Sequence, residues 1–359
     1  MSKFLKAILN IFFLNIVLFY NKIILKKKTV LFYHENFKLI KIHNYYVEKL
    51  LNLNKKKFFV IYLHADQKLK LNNYYFLINY FCELIFCVDL FISNNVCDYF
   101  TIKSKKIYIH HDIMDTPLVN EKEKSNLKKR LLAYDYICVS SKNSTKIFDD
   151  LLNVEKSTKI IPIGYFKLDY LLSKKLKKNT SNKIIIAPTN YKSFRSMTIL
   201  NDLDYLISFI LKKTSFSIIF RPHPSNSKEK TILNLKMKYI NNKRFFFDQS
   251  KNYHKVYMSS FCMITDISGT AYTYAFLTKN PVVFYCSYKK KIEDKYAKLF
   301  YFKNREEIGI VIRGKKNLIK LKNIKKNIKF YKNKINILMK ENLIIGKTKT
   351  NFIKLINKI

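Results

Sequence analysis

The sequence predicts an α/β protein of two doubly wound halves facing a cleft, followed by basic helices. Three observations predict it. Short runs rich in β-branched and aromatic residues alternate with longer segments of helical spacing. The alternation stops in a basic stretch, "SKKLKKNTSNK" (173–183), and then restarts. The polar residues with chemical potential all follow strand-like runs, and in such folds ligands bind beyond the carboxyl ends of the strands.

In chain order, residues 1–28 form an apolar and basic segment. Its run "AILNIFFLNIVLFY" (7–20) is flanked by Lys3, Lys6, Lys22 and Lys26 to Lys28 and interrupted by Asn10 and Asn15. It is shorter than the ~20 apolar residues of a membrane span. Three placements stay open: a buried first helix, a helix on a membrane surface, or a signal or anchor. Lysines on both sides suit an anionic interface. The first half, 29–172, offers strands at 29–34, 57–64, 83–92, 106–111, 134–141 and 158–164, with helical spacing at 121–134 and 143–153. The second half, 183–315, offers strands at 183–189, 216–224, 244–248, 261–266 and 280–286, with a helix at 198–213. The tail, 316–359, is basic and helical in period. No repeat recurs at 20–50 residues.

With 359 residues and 48% hydrophobic content, the chain suffices for two domains with a sizeable core. Its formal net charge is +43, from 68 Lys+Arg against 25 Asp+Glu, which attracts anions. The absence of Trp, the 5 glycines and the abundance of Lys, Asn, Ile, Phe and Tyr match AT-rich coding, which accounts for part of that charge. The lysines are scattered, with no zinc-finger spacing and no Gly-rich loop, so nucleic acid is not an expected partner. The cysteines, Cys82, Cys87, Cys97, Cys138, Cys262 and Cys286, form no C-x-x-C pair and read as reduced thiols of a cytosolic protein.

Five constellations carry chemistry. In "IYIHHDIMDTP" (107–117) a strand ends in His110-His111-Asp112. Strand alternation sends the two imidazoles to opposite sides, so at most one faces the cleft. Either is a natural base near neutral pH, oriented by Asp112 or Asp115. An adjacent, diverging pair makes a poor metal site, and none is expected. In "IIPIGYFKLDYLL" (160–172), Gly164 allows a tight turn and Asp169 follows, as a plain strand–turn–helix join or a ligand contact. In "IIIAPTNYKSFR" (184–195), Thr189, Lys192 and Arg195 follow a strand and suit a phosphate or a solvated loop.

"IIFRPHPS" (218–225) ends a strand at Arg221, whose planar fork suits phosphate oxygens. Two of the chain's 6 prolines clamp His223, so its ring can donate to a phosphate at small entropic cost. In "FCMITDISGTAYTYAFLTKNPVVFY" (261–285) a strand ends at Asp266, and Ser268-Gly269-Thr270 opens a helix. Helix starts offer N–H groups and the positive dipole end to an anion. Ordinary capping by Asp266 or Ser268 explains the same residues.

Taken in order, "HHDIMDTP", "IPIGYFKLDYL", "IIIAPTNY", "IIFRPHP" and "TDISGTAYTYAFLTKNPVVFY" resemble the CDP-glycerol glycerophosphotransferase family, over roughly residues 105–290. The resemblance implies a GT-B fold of two Rossmann-like halves, acceptor side first and nucleotide-donor side second. It implies transfer of glycerol phosphate, or a related alditol phosphate, from a CDP-linked donor to a hydroxyl of a surface-polysaccharide, teichoic-acid-like or lipid-linked acceptor, with release of CMP. By position it implies His111 as base, His110 being the second choice. It implies that His223, Arg221, Ser268, Gly269, Thr270 and Thr189 hold the donor phosphates, with Asp112, Gly164 and Asp266 in support. The sequence has no paired-Asp metal site, so no cofactor and no metal are expected, and the N-terminal segment with the reduced cysteines predicts a cytoplasmic protein peripheral to the anionic inner face of the membrane. Members commonly carry glycine where Asp112 stands, and an acid in the helix that here reads "AYTYAFLTK". The alternative is a GT-B glycosyltransferase using a nucleotide sugar in capsule or lipopolysaccharide synthesis. An epimerase-like enzyme, a scaffold without activity and a nucleic-acid binder fit less well.

Overall fold

The computed structural model describes residues 3–34, 47, 55–64, 82–97, 100–114, 127–152, 157–174, 182–192, 196–250, 253–294 and 296–359. Asp115, Arg195 and the start of the helix expected at 121–134 lie outside them. The chain divides into two compact units. Unit 1 comprises Met1–His111, Glu121–Tyr170 and Leu343–Ile359, and unit 2 comprises Asp112–Asn120 and Leu171–Asn342.

Unit 1 holds a six-stranded sheet in the order β2-β1-β3-β4-β5-β6. The strands are β1 Lys28–His34, β2 Phe58–His64, β3 Leu90–Ser93, β4 Lys105–Ile109, β5 Tyr136–Val139 and β6 Lys159–Pro162. Every neighbouring pair is parallel. The strands are apolar on both faces because both faces are covered, as a parallel sheet requires.

The first helix, Lys3–Phe19, continues into a π-helical turn, Tyr20–Ile24. One side of it belongs to the core: Ile11, Leu14 and Leu18 pack in one cluster with Leu31, Tyr33 and Phe91. Burial of each such side chain contributes roughly 1.5–3 kcal/mol. Asn15 is an anchor rather than a break in an apolar run. Its Nδ2 donates to Leu84 O at 2.7 Å, and its Oδ1 accepts from Phe86 N at 2.7 Å. The strand expected at 83–92 shortens accordingly. Phe86 gives its N–H to Asn15, Cys87 takes a φ of 60°, and β3 begins only at Leu90.

Unit 2 holds a second parallel six-stranded sheet, ordered β12-β11-β10-β7-β8-β9. Its strands are β7 Lys183–Ile186, β8 Ser217–Phe220, β9 Phe245–Phe247, β10 Cys262–Thr265, β11 Val282–Cys286 and β12 Gly309–Arg313. The last is an edge strand that the sequence pattern did not announce. Chain order reverses between β7 and β10, so the switch point, where such sheets hold ligands, lies beyond the carboxyl ends of these two strands.

The tail divides between the units. A 3-10 segment, Lys315–Asn327, and the helix Ile328–Asn342 stay with unit 2, whereas the helix Thr348–Lys358 belongs to unit 1. There Phe352 meets Phe166 edge-on at 5.5 Å between ring centres, and Asn351 Nδ2 donates to Ile163 O at 3.1 Å.

Candidate active site

Around the unit 2 switch point, buried Asp266 ties three loops together. Its Oδ1 accepts from Thr189 N at 2.9 Å and its Oδ2 from Ile199 N at 3.0 Å. Burial pushes this carboxyl up, against the backbone amides of Ile199, Thr189, Asp266 and Ile267, which favour its charged form. Its backbone oxygen accepts from Tyr301 OH at 3.0 Å, and that hydroxyl in turn accepts from Ser268 N at 2.9 Å. Asp266 is therefore a fastener that sets Thr189 and Ser268 in place.

Asn226 is a second fastener, and sequence pattern alone did not point to it. Its Nδ2 donates to Thr189 O at 2.9 Å, and its backbone N–H donates to His223 O at 2.8 Å. The loop after β8 is thus pinned to the loop after β7.

Pro224 starts a short 3-10 turn, Pro224–Asn226, with His223 as its cap. His223 Nδ1 accepts from Ser225 N at 3.2 Å. An accepting Nδ1 carries no proton, so the neutral ring presents its N–H at Nε2. Burial pulls the imidazole down to about 4. Near neutral pH, His223 is an uncharged, oriented hydrogen-bond donor.

Arg221 follows β8 with its fork engaged. Nη1 is paired with the Asp248 carboxylate, Nη2 donates to Ser250 O at 3.0 Å, and the guanidinium lies 5.7 Å from the Tyr253 ring centre. Both ends of its fork are thus engaged by the segment that follows β9. Lys192 pairs with Glu229 at 3.1 Å.

The helix Thr270–Thr278 starts beyond β10, capped by Gly269. Ser268 N is used by Tyr301, and Thr270 Oγ1 hydrogen-bonds Tyr257 OH. The Ala271 N–H donates back to Ser268 O at 3.0 Å, and the dipole's positive end lies at this terminus. The Asp112 carboxylate, also of unit 2, lies where a Gly269 side chain would stand.

Unit 1 gathers the two histidines differently from the alternation expected of them. β4 ends at Ile109, so the pleat does not extend to 110–111. Instead of diverging, both rings place Nδ1 3.3 Å from the Tyr108 hydroxyl, with ring centres 5.6 Å apart. His110 is buried, its ring 4.9 Å edge-on from Phe148, and His111 is half-buried. His111 Nδ1 also lies 3.2 Å from Asn94 O, beyond the end of β3. A carbonyl only accepts, so His111 carries its proton at Nδ1 and its lone pair at Nε2. Tyr108 can then donate to His110 Nδ1. Tyr165 OH holds the His111 carbonyl at 2.9 Å. Burial pulls the His111 imidazole below its usual value, the Asn94 carbonyl opposes this, and Lys167 adds to it.

Gly164 and Asp169 serve the tail helix of unit 1. Gly164 has a φ of +110°, and a Cβ there would come 2.9 Å from Ile344 O and 2.2 Å from Thr348 Oγ1. Asp169 accepts from Gly346 N at 2.7 Å and Thr348 N at 3.0 Å, capping the helix Thr348–Lys358. Among the described residues, no group of three or more His, Cys, Asp or Glu side chains is placed to hold a metal ion.

Comparison with known proteins extends this description. The wall teichoic acid polymerase TagF is similar in fold: TM-score 0.64, 19% identity, covering 99% of this chain and 96% of that one. A TagF variant described with CDPG gives a TM-score of 0.62 at 19% identity, with the same coverage. Staphylococcus aureus MnaA, solved with UDP, gives 0.63 at 12% identity, covering 92% of this chain and 96% of that one. A UDP-GlcNAc 2-epimerase from Methanocaldococcus jannaschii, solved with UDP-GlcNAc and UDP, gives 0.60 at 14%, covering 92% and 100%. At these identities the likeness concerns fold, which is GT-B-like. No curated protein matches the chain by sequence. The family described as CDP-glycerol:poly(glycerophosphate) glycerophosphotransferase matches residues 18–343. With a match over most of its length, and with the strand-end motifs set around a parallel-sheet switch point, the chain belongs to that family and is a transferase of its kind.

Proposed function

We propose that the chain moves glycerol phosphate, or a related alditol phosphate, from a CDP-linked donor to a hydroxyl of a surface-polysaccharide, teichoic-acid-like or lipid-linked acceptor, releasing CMP. One observation carries the reading: His223 Nδ1 accepts from Ser225 N whereas His111 Nδ1 lies against the Asn94 carbonyl, which assigns the two rings opposite tautomers. His111 offers a lone pair at Nε2, as a base requires, and His223 offers an N–H there, as a phosphate ligand requires. The TagF variant described with CDPG supports a CDP-linked donor.

In the proposed reaction the acceptor hydroxyl gives its proton to His111 Nε2. Its oxygen forms a bond to the glycerol-bearing phosphorus, and the bond from that phosphorus to the CMP oxygen breaks. The charge left on CMP is met by His223 Nε2–H, the start of the helix Thr270–Thr278 and Arg221, with Asp266 and Asn226 holding their loops. These groups suffice without a metal, so activity should survive a chelator.

The test is mass spectrometry of products from the purified chain with CDP-glycerol, CDP-ribitol and a panel of nucleotide sugars. CMP and an acceptor enlarged by an alditol phosphate are expected. Consumption of a nucleotide sugar with release of the nucleoside diphosphate would replace the reading with the glycosyltransferase alternative. Turnover of none would leave a scaffold role.

The same reading puts the protein at the inner face of the cytoplasmic membrane, near a lipid-linked acceptor. The first helix supports this. Opposite its buried side it exposes Phe12 (60%), Phe13 (58%), Ile16, Phe19 and Ile24, beside exposed Lys26. Among the described residues no helix is long and apolar enough to cross a membrane, so the contact proposed is interfacial.

A further inference from the structure

In unit 1 the chain order reverses at β1, with β2 on one side of it and β3 on the other. The switch point of this sheet is the crevice beyond the carboxyl ends of β1 and β3, where open parallel sheets hold ligands. β3 ends at Ser93, which is in register with Tyr33 near the end of β1, and Asn94 is the first residue beyond it. Asn94 is only 6% exposed, yet among the described residues its buried Oδ1 has no hydrogen-bond partner. The hydroxyl next to it in the chain is spent elsewhere, since Ser93 Oγ donates to Asn95 O at 2.7 Å. A buried acceptor without a donor is costly, and few native chains keep one. The same residue already touches the candidate chemistry, because its backbone oxygen lies 3.2 Å from His111 Nδ1.

We infer that Asn94 is a specificity-determining residue of the acceptor site: its side-chain carbonyl accepts a hydrogen bond from a hydroxyl of a polyol-ended acceptor, next to the hydroxyl that His111 activates. The inference rests on the transferase reading above and deepens it. Asn94 meets the His111 ring at Nδ1, whereas the base in that reading is Nε2. Its side chain is therefore offset from the attacking oxygen and suits a second hydroxyl on the same polyol. The Oδ1 atom only accepts, so it selects a group with a proton to give. A free hydroxyl qualifies, and an ether, ester or phosphodiester oxygen does not. A site built to bond a hydroxyl rejects the analogue that lacks it, because its own polar atom is then left unpaired. Asn94 thereby favours a free alditol end over one that is deoxygenated or capped at that position.

The test titrates two probes calorimetrically into the full-length wild type, Asn94→Leu and Asn94→Ala. One probe is a glycerol phosphate trimer with a glycerol end. The other is the same trimer ended by propanediol, which lacks the hydroxyl next to the terminal one. Wild type should bind the glycerol-ended probe about tenfold more tightly, the value of one hydrogen bond. Both variants should lose this preference by weakening for the glycerol-ended probe alone, with binding of CDP unchanged. The alanine keeps the test open should leucine fit poorly. Asn94→Leu should melt no lower than wild type, because the carbonyl it removes has no partner inside the chain. A lower melting temperature with both probes and CDP weakened together would overturn the inference, since that marks a structural role. A preference kept by both variants, no preference in wild type, or no binding of either probe would overturn it as well. The two readings fail separately. If the preference depends on Asn94 but CDP-glycerol releases no CMP, the hydroxyl site stands and the transferase reading falls. If CMP is released while all three proteins show the same preference, the transferase reading stands and the role of Asn94 falls.

Discussion

His223 Nδ1 accepts a hydrogen bond from the Ser225 amide at 3.2 Å, across the proline that starts the turn between them. This bond decides which ring nitrogen faces a ligand, and burial keeps the ring uncharged. Replacing His223 with alanine should lower turnover by about 10²–10³-fold, the usual cost of one oxyanion donor, with the melting temperature little changed. Full activity would remove His223 from the donor site.

Its acid behaviour follows from the same burial. The folded-state value of about 4 lies below the ordinary 6.5, so the unfolded chain binds this proton more strongly. The associated stability is complete above pH 6.5 and is lost as pH falls toward 4. In urea titrations across that range, His223→Gln should lose less stability than wild type. Parallel curves for the two would mean that the ring is solvated.

In the proposed reaction His111 is the base. Its imidazole is held below its usual value, chiefly by burial, so the base stays unprotonated to lower pH than a free histidine. The acid limb of kcat/KM should therefore fall below pH 6.5. His111→Ala should cut kcat by about 10²–10⁴-fold. His110→Ala should be milder, because His110 is reached through Tyr108 and sits buried against Phe148. An equal loss in the two variants would mean that the pair acts as one unit through the Tyr108 hydroxyl.

Much of this was legible in the sequence because it is local. Strand runs ending at Arg221 and Asp266, the clamped His223 and the helix opening at Ser268-Gly269-Thr270 are each written in adjacent residues. What was hidden depends on contacts distant in sequence. Asn226 looks like loop filler until its amide meets Thr189 O, and Asn15 looks like a flaw until it meets Leu84 and Phe86. The histidine pair departs from simple alternation because β4 ends at Ile109, so both rings reach the Tyr108 hydroxyl. Gly164 and Asp169 were readable as special, but their partners at 344–348 lie in the tail of the chain.

Gly164→Ala tests that tail contact. The φ of +110° disfavours any side chain, and the new Cβ would press on Ile344 O and Thr348. A destabilisation of about 1–3 kcal/mol is expected from the strained backbone, and more if Ile344 cannot shift. Thermal melting of the full chain reads it, and protection of the amides at 348–358 from hydrogen exchange should drop first. Unaltered protection there would place the strain elsewhere.

The first helix has two sides, and only one of them can be tested cleanly. Deleting 1–28 would remove Ile11, Leu14 and Leu18 from the core and strand Thr29 at the start of β1, so lost membrane binding would only report unfolding. Changing Phe12, Phe13, Phe19 and Ile24 to serine leaves that core intact and removes the exposed apolar surface. With vesicles of phosphatidylglycerol and phosphatidylcholine, wild type should pellet and the quadruple variant should lose about two orders of magnitude in binding. Raised salt should weaken the wild type as well, since Lys26 and the wider positive charge assist the contact. Equal pelleting of the two proteins would mean that charge alone holds the chain to lipid. A concentration-dependent dimer that the variant abolishes would mean that the exposed face meets a second copy instead.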